Sequence, residues 1–246
     1  MQATLEDALS RVTQEDIHVV GSGRTDAGAH AVSQVVAFST ESRLRPEVLQ
    51  RAANAVLPRD VVISQALEVA DDFHPRFDAR SRIYRYLIWN RPVRSPFWEG
   101  RGAHVKPHLD EQAMDHAMQC LVGRIDFASF VPANFSGSRE RMVWSARCWR
   151  DGSTVAIELE AEGFMRQMVR SIVGTLIDVG RGKIDESEFR RIVLARDRTQ
   201  AGKTSPAHGL YLLSVRYGDS ENVPEAPSIP VGFEFTCKTG SSEEKS

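Results

Sequence analysis

Gly21-Ser22-Gly23-Arg24-Thr25-Asp26-Ala27-Gly28-Ala29-His30 lies between two short apolar runs, Ile17 to Val20 and Gln34 to Phe38. The flanking runs predict strands, and the glycines between them predict a loop. Upstream, Leu5, Ala8, Leu9 and Val12 recur at the i, i+3, i+4, i+7 spacing of an amphipathic helix. Downstream, Val48, Leu49, Ala52 and Val56 predict a second helix, with Pro46 near its first turn and Pro58 past its end. Val61 to Val69 is strand-like. Residues 1–72 thus read as one α/β unit that carries the aspartate loop between its first two strands.

A second unit is expected over residues 73–218. Ile83 to Trp89 is aromatic and β-branched and predicts a strand. Ala113, Met114, Ala117, Met118 and Leu121 mark a helix face, where methionines serve as core filler. Val143 to Arg150 and Thr154 to Ala161 predict paired strands about Asp151-Gly152. Met168 to Val179 is a strongly apolar helix, and Asp185 with Glu188 forms a capping-box pattern ahead of another, through Val193. Tyr211 to Tyr217 closes the set as a strand. Pro, Ser and Glu dominate 219–246, which reads as an irregular extension, disordered from Gly240 onward. Helices and strands mixed in this way, without repeats, predict an α+β protein built on two sheets.

The 246-residue chain is 41% hydrophobic and 26% charged, an ordinary globular composition. It contains no apolar run long enough for a membrane helix, and its opening residues lack the basic and apolar regions of a secretion signal. Cys120, Cys148 and Cys237 are odd in number and widely spaced, which suggests neither a disulfide framework nor a zinc site, and fits buried thiols in a reducing cytosol. Net charge is only −2, but Arg76, Arg80, Arg82, Arg85, Arg91, Arg94 and Arg101 fall in a stretch whose only acids are Asp78 and Glu99. Such a cluster is either a polyanion-binding surface or a solvated arginine face.

Small residues around Asp26 would let a bulky substrate approach the backbone, and a nearby arginine such as Arg24 favours an ionised carboxylate. An aspartate in a loop of this composition can equally serve its own turn. Arg170 stands in an i, i+3, i+7 row with Val173 and Ile177, at the rim of an apolar helix face. A guanidinium there is costly unless paired, and a carboxylate is its natural partner; a snorkelling stem over the core is the alternative.

Gly23-Arg24-Thr25-Asp26-Ala27-Gly28-Ala29-His30-Ala31 closely resembles the signature of the tRNA pseudouridine synthase A family, with Ala29 where valine is usual. Three further motifs resemble that family in order along nearly the whole chain. They are Phe73-His74-Pro75-Arg76-Phe77 with Tyr84-Arg85-Tyr86, Phe164 to Arg170 with Ile172-Val173-Gly174, and Pro206 to Leu212. The resemblance implies a pseudouridine synthase fold, with mixed or antiparallel sheets flanked by helices around a basic cleft. It implies isomerisation of uridine to pseudouridine in the anticodon arm of tRNA, at positions 38, 39 and 40, by a cytoplasmic homodimer.

By the same resemblance Asp26 is the catalytic nucleophile, although a carboxylate could attack sugar or base, or take a proton from the sugar. Tyr84 would pack on the target base, Arg170 would bridge to Asp26, and Arg24 would help displace the base from its stack. Leu210 would line the uracil pocket, and Phe73, His74, Arg76 and Phe77 would contact RNA. Tyr84 and Leu210 could each be ordinary core residues instead. No cofactor and no metal are expected, since an isomerisation has no redox step and loses no group.

Three features depart from the family pattern. The chain starts within the first helix, without the opening strand that relatives carry. In Arg124-Ile125-Asp126-Phe127 the residue before Asp-Phe is not the histidine common there, and 134–140 differs in a region that relatives use for RNA contact. The first departure leaves a catalytically impaired tRNA-binding protein as the alternative function. A carboxylate-based glycosidic hydrolase is a further rival, but such enzymes usually need a second acid and the loop offers none.

Overall fold

A computed structural model describes residues 1–218, so the expectation of an irregular extension over 219–246 lies outside the described residues. The first helix, α1 (Gln2–Thr13), and the second, α2 (Pro46–Val56), pack together. Leu9, Leu49 and Ala53 from the helices join Ile17 and Val19 in a small core of their own. Pro46 occupies the first turn of α2, where its missing N–H has no intrahelical partner to lose.

The apolar runs flanking the aspartate loop pair antiparallel, but only as β1 (Val20–Gly21) and β3 (Val36–Ala37), shorter than the runs suggest. Val61 to Val69 is not a strand. Side chains of α2 occupy backbone groups that a neighbouring strand would have used. Asn54 Nδ2 donates to the Ile63 carbonyl at 2.8 Å, its Oδ1 accepts from the Ile63 N–H at 2.7 Å, and Gln50 Nε2 donates to the Ser64 carbonyl at 2.6 Å. With no partner strand among the described residues, Val62, Leu67 and Val69 are exposed.

The larger sheet is organised around β4 (Ala79–Trp89), which lies between β8 (Thr154–Ala161) and β9 (Leu210–Tyr217), antiparallel to both. Its order is β2-β9-β4-β8-β7-β6, with β5 (Ala103–His104) parallel beside the end of β4. Here β2 is His30–Ala31, β6 is Gly123–Asp126 and β7 is Glu140–Asp151. The β7–β8 turn is Gly152-Ser153, one residue beyond Asp151-Gly152. Only its first central residue needs a positive φ, and Gly152 supplies it at 54°.

Helices α3 (Glu111–Met118) and α4 (Met168–Gly180) cover one face of this sheet, and α5 (Glu186–Ala195) packs against both. Asp185 caps α5 by accepting from the Glu188 N–H at 2.8 Å. Tyr86, Ile88, Val155, Ile157 and Leu159 of the sheet bury against Met114, Met118, Ile172, Val173 and Leu176 of the helices. The α+β class, with sheets flanked by helices, is therefore realised with two sheets of very unequal size. No described helix is long and apolar enough to cross a membrane.

Gly174 lets α4 touch the chain at 203–205. A Cβ built there would fall 1.8 Å from the Lys203 carbonyl oxygen, and backbone cannot give way as a flexible side chain can. Gly174→Ala should lower stability by about 3 kcal/mol, seen as a lower urea midpoint with unchanged slope.

Candidate active site

The aspartate loop leaves β1 and returns to the large sheet at β2, which pairs parallel with β9 at His30–Tyr211 and Ala31–Leu212. Its own backbone closes the turn, with the Ala29 N–H donating to the Asp26 carbonyl at 2.9 Å. The Asp26 side chain is thus not what holds the turn. Arg170 Nη1 donates to Asp26 Oδ2 at 2.6 Å, while Oδ1 has no hydrogen bond among the described residues. The arginine that pairs with Asp26 is therefore Arg170 of α4, from the far side of the chain. Arg24, two residues away in sequence, lines the same pocket, is exposed and forms no ion pair among the described residues.

The Arg170 and Asp26 side chains are 15% and 21% exposed, so the pair is shielded yet open to a ligand. Arg170 is fixed from behind: its Nε donates to the Ser205 carbonyl at 2.7 Å, and its own carbonyl accepts from the Ser205 N–H at 3.0 Å. Gln167 precedes α4 with φ 62°, a left-handed conformation that non-glycine residues rarely adopt. That turn starts α4 at Met168 and leaves Arg170 in its first turn, on the rim of the pocket. Strained residues of this kind gather at functional sites.

Tyr84 and Leu210 complete the pocket, both nearly buried. Phe164 meets Tyr84 edge-on, with ring centroids 5.1 Å apart at 81°. Burial pushes the Tyr84 phenol up to about 12, the Arg82 guanidinium pulling it back and the Asp26 carboxylate adding to the rise. The hydroxyl is therefore a neutral donor at any ordinary pH.

Phe73, His74, Arg76 and Phe77 do not line this pocket. They form a separate exposed turn, closed by the Asp78 N–H donating to the His74 carbonyl at 3.0 Å. Phe77 is 75% exposed, with the His74 ring 4.2 Å away and the Arg76 guanidinium 5.8 Å over its centroid. His74 Nδ1 accepts from the N–H groups of Arg76 and Phe77, each at 3.2 Å. His74 is thus a cap for its own turn.

The arginine-rich stretch divides by strand face. Arg85 binds Glu158 Oε2 through Nε at 3.0 Å and Nη2 at 2.6 Å, with its guanidinium 5.1 Å over the Trp149 ring. Arg82 falls on the opposite face of β4 and donates to the carbonyls of Glu162 at 2.6 Å, Arg76 at 2.7 Å and Ser22 at 3.0 Å. Half-buried, it has its pKa drawn down by loss of water. The charge count alone did not distinguish it. The available signal was phase: Arg82 alternates in step with Tyr84, Tyr86 and Ile88, which face the core. Among the described residues no group of three or more His, Cys, Asp or Glu side chains is placed to hold a metal ion.

Fold and pocket together define an α+β protein that presents one carboxylate, held by one arginine, beneath an aromatic wall. A family model described as tRNA pseudouridine synthase matches residues 1–78 and 117–218. The chain is 40% identical over 219 residues to tRNA pseudouridine synthase A of Ruminiclostridium cellulolyticum, covering 88% of this chain and 89% of the relative. It is 44% identical over 218 residues to the protein of that name from Brevibacillus brevis, with 88% and 89% covered. It is 40% identical over 232 residues to the one from Salmonella arizonae, covering 94% of this chain and 86% of the relative. The chain belongs to the tRNA pseudouridine synthase family.

The raised Tyr84 pKa has a definite consequence in alkali. An unfolded tyrosine ionises near 10, whereas Tyr84 in the fold stays neutral until about 12. The stabilising contribution is thus fully present below pH 10 and lost as pH rises toward 12. Urea unfolding of wild type and Tyr84→Phe should show a smaller loss of stability over that window in the variant.

Proposed function

We propose that the protein isomerises uridine to pseudouridine in tRNA, with Asp26 as the nucleophile. The observation that carries this is the Asp26–Arg170 pair: one carboxylate oxygen is engaged at 2.6 Å, and the other is left toward a pocket walled by Tyr84 and Leu210. In the reaction the bond from ribose C1′ to uracil N1 breaks, the base turns, and C1′ joins C5. The C5 proton leaves and N1 gains one, so the reaction needs no oxidant, reductant or carrier.

Each side chain has a place in that scheme. Arg170 orients the carboxylate through its hydrogen bond to Oδ2. Tyr84, a neutral phenol with Phe164 against its edge, supports the uracil ring and offers it a hydrogen bond. Leu210 supplies an apolar surface on which the base can turn. Exposing a base from a stem costs on the order of a few kcal/mol, and exposed Arg24 is free to fill the place it leaves. On the outer turn, Phe77 with Arg76 offers a ring and a cation to the RNA, with Phe73 and His74 supporting it.

The substrate site is the anticodon arm, at positions 38, 39 and 40, and the protein acts in the cytoplasm as a homodimer gripping one tRNA. These assignments rest on the family. Residues 1–72 and 73–218 are two units, a division supported by the separate small core beneath α1 and α2.

Release of the C5 hydrogen from labelled tRNA measures the activity. Asp26→Asn keeps the shape of the pocket and should abolish release while tRNA binding survives. Arg170→Ala should lower kcat by about a hundredfold, the typical loss on removing one preorganised charged donor. An active Asn variant would refute the role given to Asp26.

A further inference from the structure

A second cleft, of about 230 Å³, opens beside the active-site pocket and has no part in the scheme above. One water needs only roughly 10–15 Å³ of such space; this one has room for a flat ring. Trp89 and Trp98 line it, their centroids 5.7 Å apart and their planes within 22°. Trp98 lies directly on the backbone of Gly102, where a Cβ would come within 2.6 Å of its ring. The Trp89 indole N–H already donates to the Val93 carbonyl at 2.9 Å, so toward a ligand this residue offers a π surface and not a donor.

Polar groups of suitable kinds surround these rings. His104 Nε2 lies 2.9 Å from the Arg91 carbonyl, which can only accept, so Nε2 carries a hydrogen and, in the neutral ring, Nδ1 is left as an acceptor. Glu99 is a second acceptor and His208 a further ring nitrogen pair on the lining. Arg94 is exposed, lines the cleft and forms no ion pair among the described residues. A stacking platform, acceptors for base-edge amino groups and one unpaired guanidinium match a nucleotide: ring, edge and phosphate.

The cleft is also built into the active site. Pro206 lies on its wall and accepts from the Tyr86 hydroxyl at 2.8 Å, while the adjacent Ser205 carbonyl holds Arg170. On the other side, His30 Nε2 donates to the Gly100 carbonyl at 2.9 Å and the Tyr211 hydroxyl donates to the Arg101 carbonyl at 2.6 Å. The cleft wall at 100–101 is thereby pinned to the strands that receive the Asp26 loop.

We infer that this cleft takes a second, unpaired nucleotide of the same RNA, its base on Trp98 and Trp89 and its phosphate on Arg94. The inference rests on the proposed action on tRNA and extends it from one bound nucleotide to two. Occupancy would steady 205–206, and with it Arg170, so the cleft would favour substrates with an unpaired loop near the target uridine.

The test uses anticodon stem–loop RNAs, each abasic at one loop position, with binding measured for wild type and Trp98→Ala. One abasic position should weaken wild-type binding by roughly tenfold, the scale of a single base–aromatic stack. For Trp98→Ala the same RNA should bind no worse than the intact one, and Trp98→Phe should regain most of the wild-type discrimination. Uniform penalties in both proteins, or unchanged binding by Trp98→Ala, would overturn the inference. Should Trp98→Ala fail to fold, exposed Arg94→Ala decides: losing one phosphate contact should reduce the salt dependence of log K by about one unit, and an unchanged slope overturns the site. Wild-type protein that binds none of these RNAs would refute the action on tRNA itself. Wild-type binding without coupling to Trp98 or Arg94 would refute the cleft alone.

Discussion

The geometry of the candidate active site turns on a single contact, Arg170 Nη1 to Asp26 Oδ2 across 144 residues of chain. Two opposite charges that are mostly out of water are tolerable only together, because either one alone would carry its desolvation cost without compensation. The pair therefore draws the loop after β1 to the first turn of α4 and brings distant parts of the sequence into one place. The apolar body of α4 fixes where Arg170 stands, and Ser205 fixes how it points. The close approach at Gly174 keeps the Ser205 segment in reach. Shape complementarity at a glycine thus bears on the position of a charged side chain elsewhere on the same helix.

Arg82 has an analogous task with no acidic partner among the described residues. Its hydrogen bonds reach the start of the aspartate loop, the exposed Arg76 turn and the segment leading to Phe164. Carbonyl oxygens lack the full charge of a carboxylate, but several on one guanidinium satisfy its donors in a fixed fork. The result is mechanical: three segments that sequence separates are held to one half-buried side chain. Arg85, three residues later, points the other way and is consumed by Glu158 and Trp149. Both of these clustered arginines brace the protein.

Long, periodic elements were legible in the sequence. Helices α1, α2, α4 and α5 and strands β4, β7, β8 and β9 all lie where apolar spacing places them, because each buries a face that the pattern names. The failure at Val61 to Val69 has a physical origin. Its alternation is that of a strand, but a strand needs a neighbour, and Asn54 and Gln50 reach its backbone first. At the site, Asp26 stood out by the motif around it, and Arg170 by a charge on an apolar helix row. Arg82 was hidden because charge counting ignores which face of a strand a residue occupies. The Trp89–Trp98 cleft was hidden for another reason: its parts are brought together by turns of irregular geometry that no periodicity records.

Apart from the Arg170–Asp26 pair, the tether between the Asp26 loop and the large sheet is brief. Strand β2 pairs with β9 over two residues at the sheet margin, with the Val32 N–H adding one bond to the Leu212 carbonyl. Separating so few pairings takes far less free energy than melting the sheet behind them. Amide hydrogens of the loop should therefore exchange with solvent through small excursions while those of β4 and β8 wait for global opening. Such local breathing would let the loop yield to a bulky folded nucleic acid and close again over it, the sheet beneath serving as an unmoving anvil.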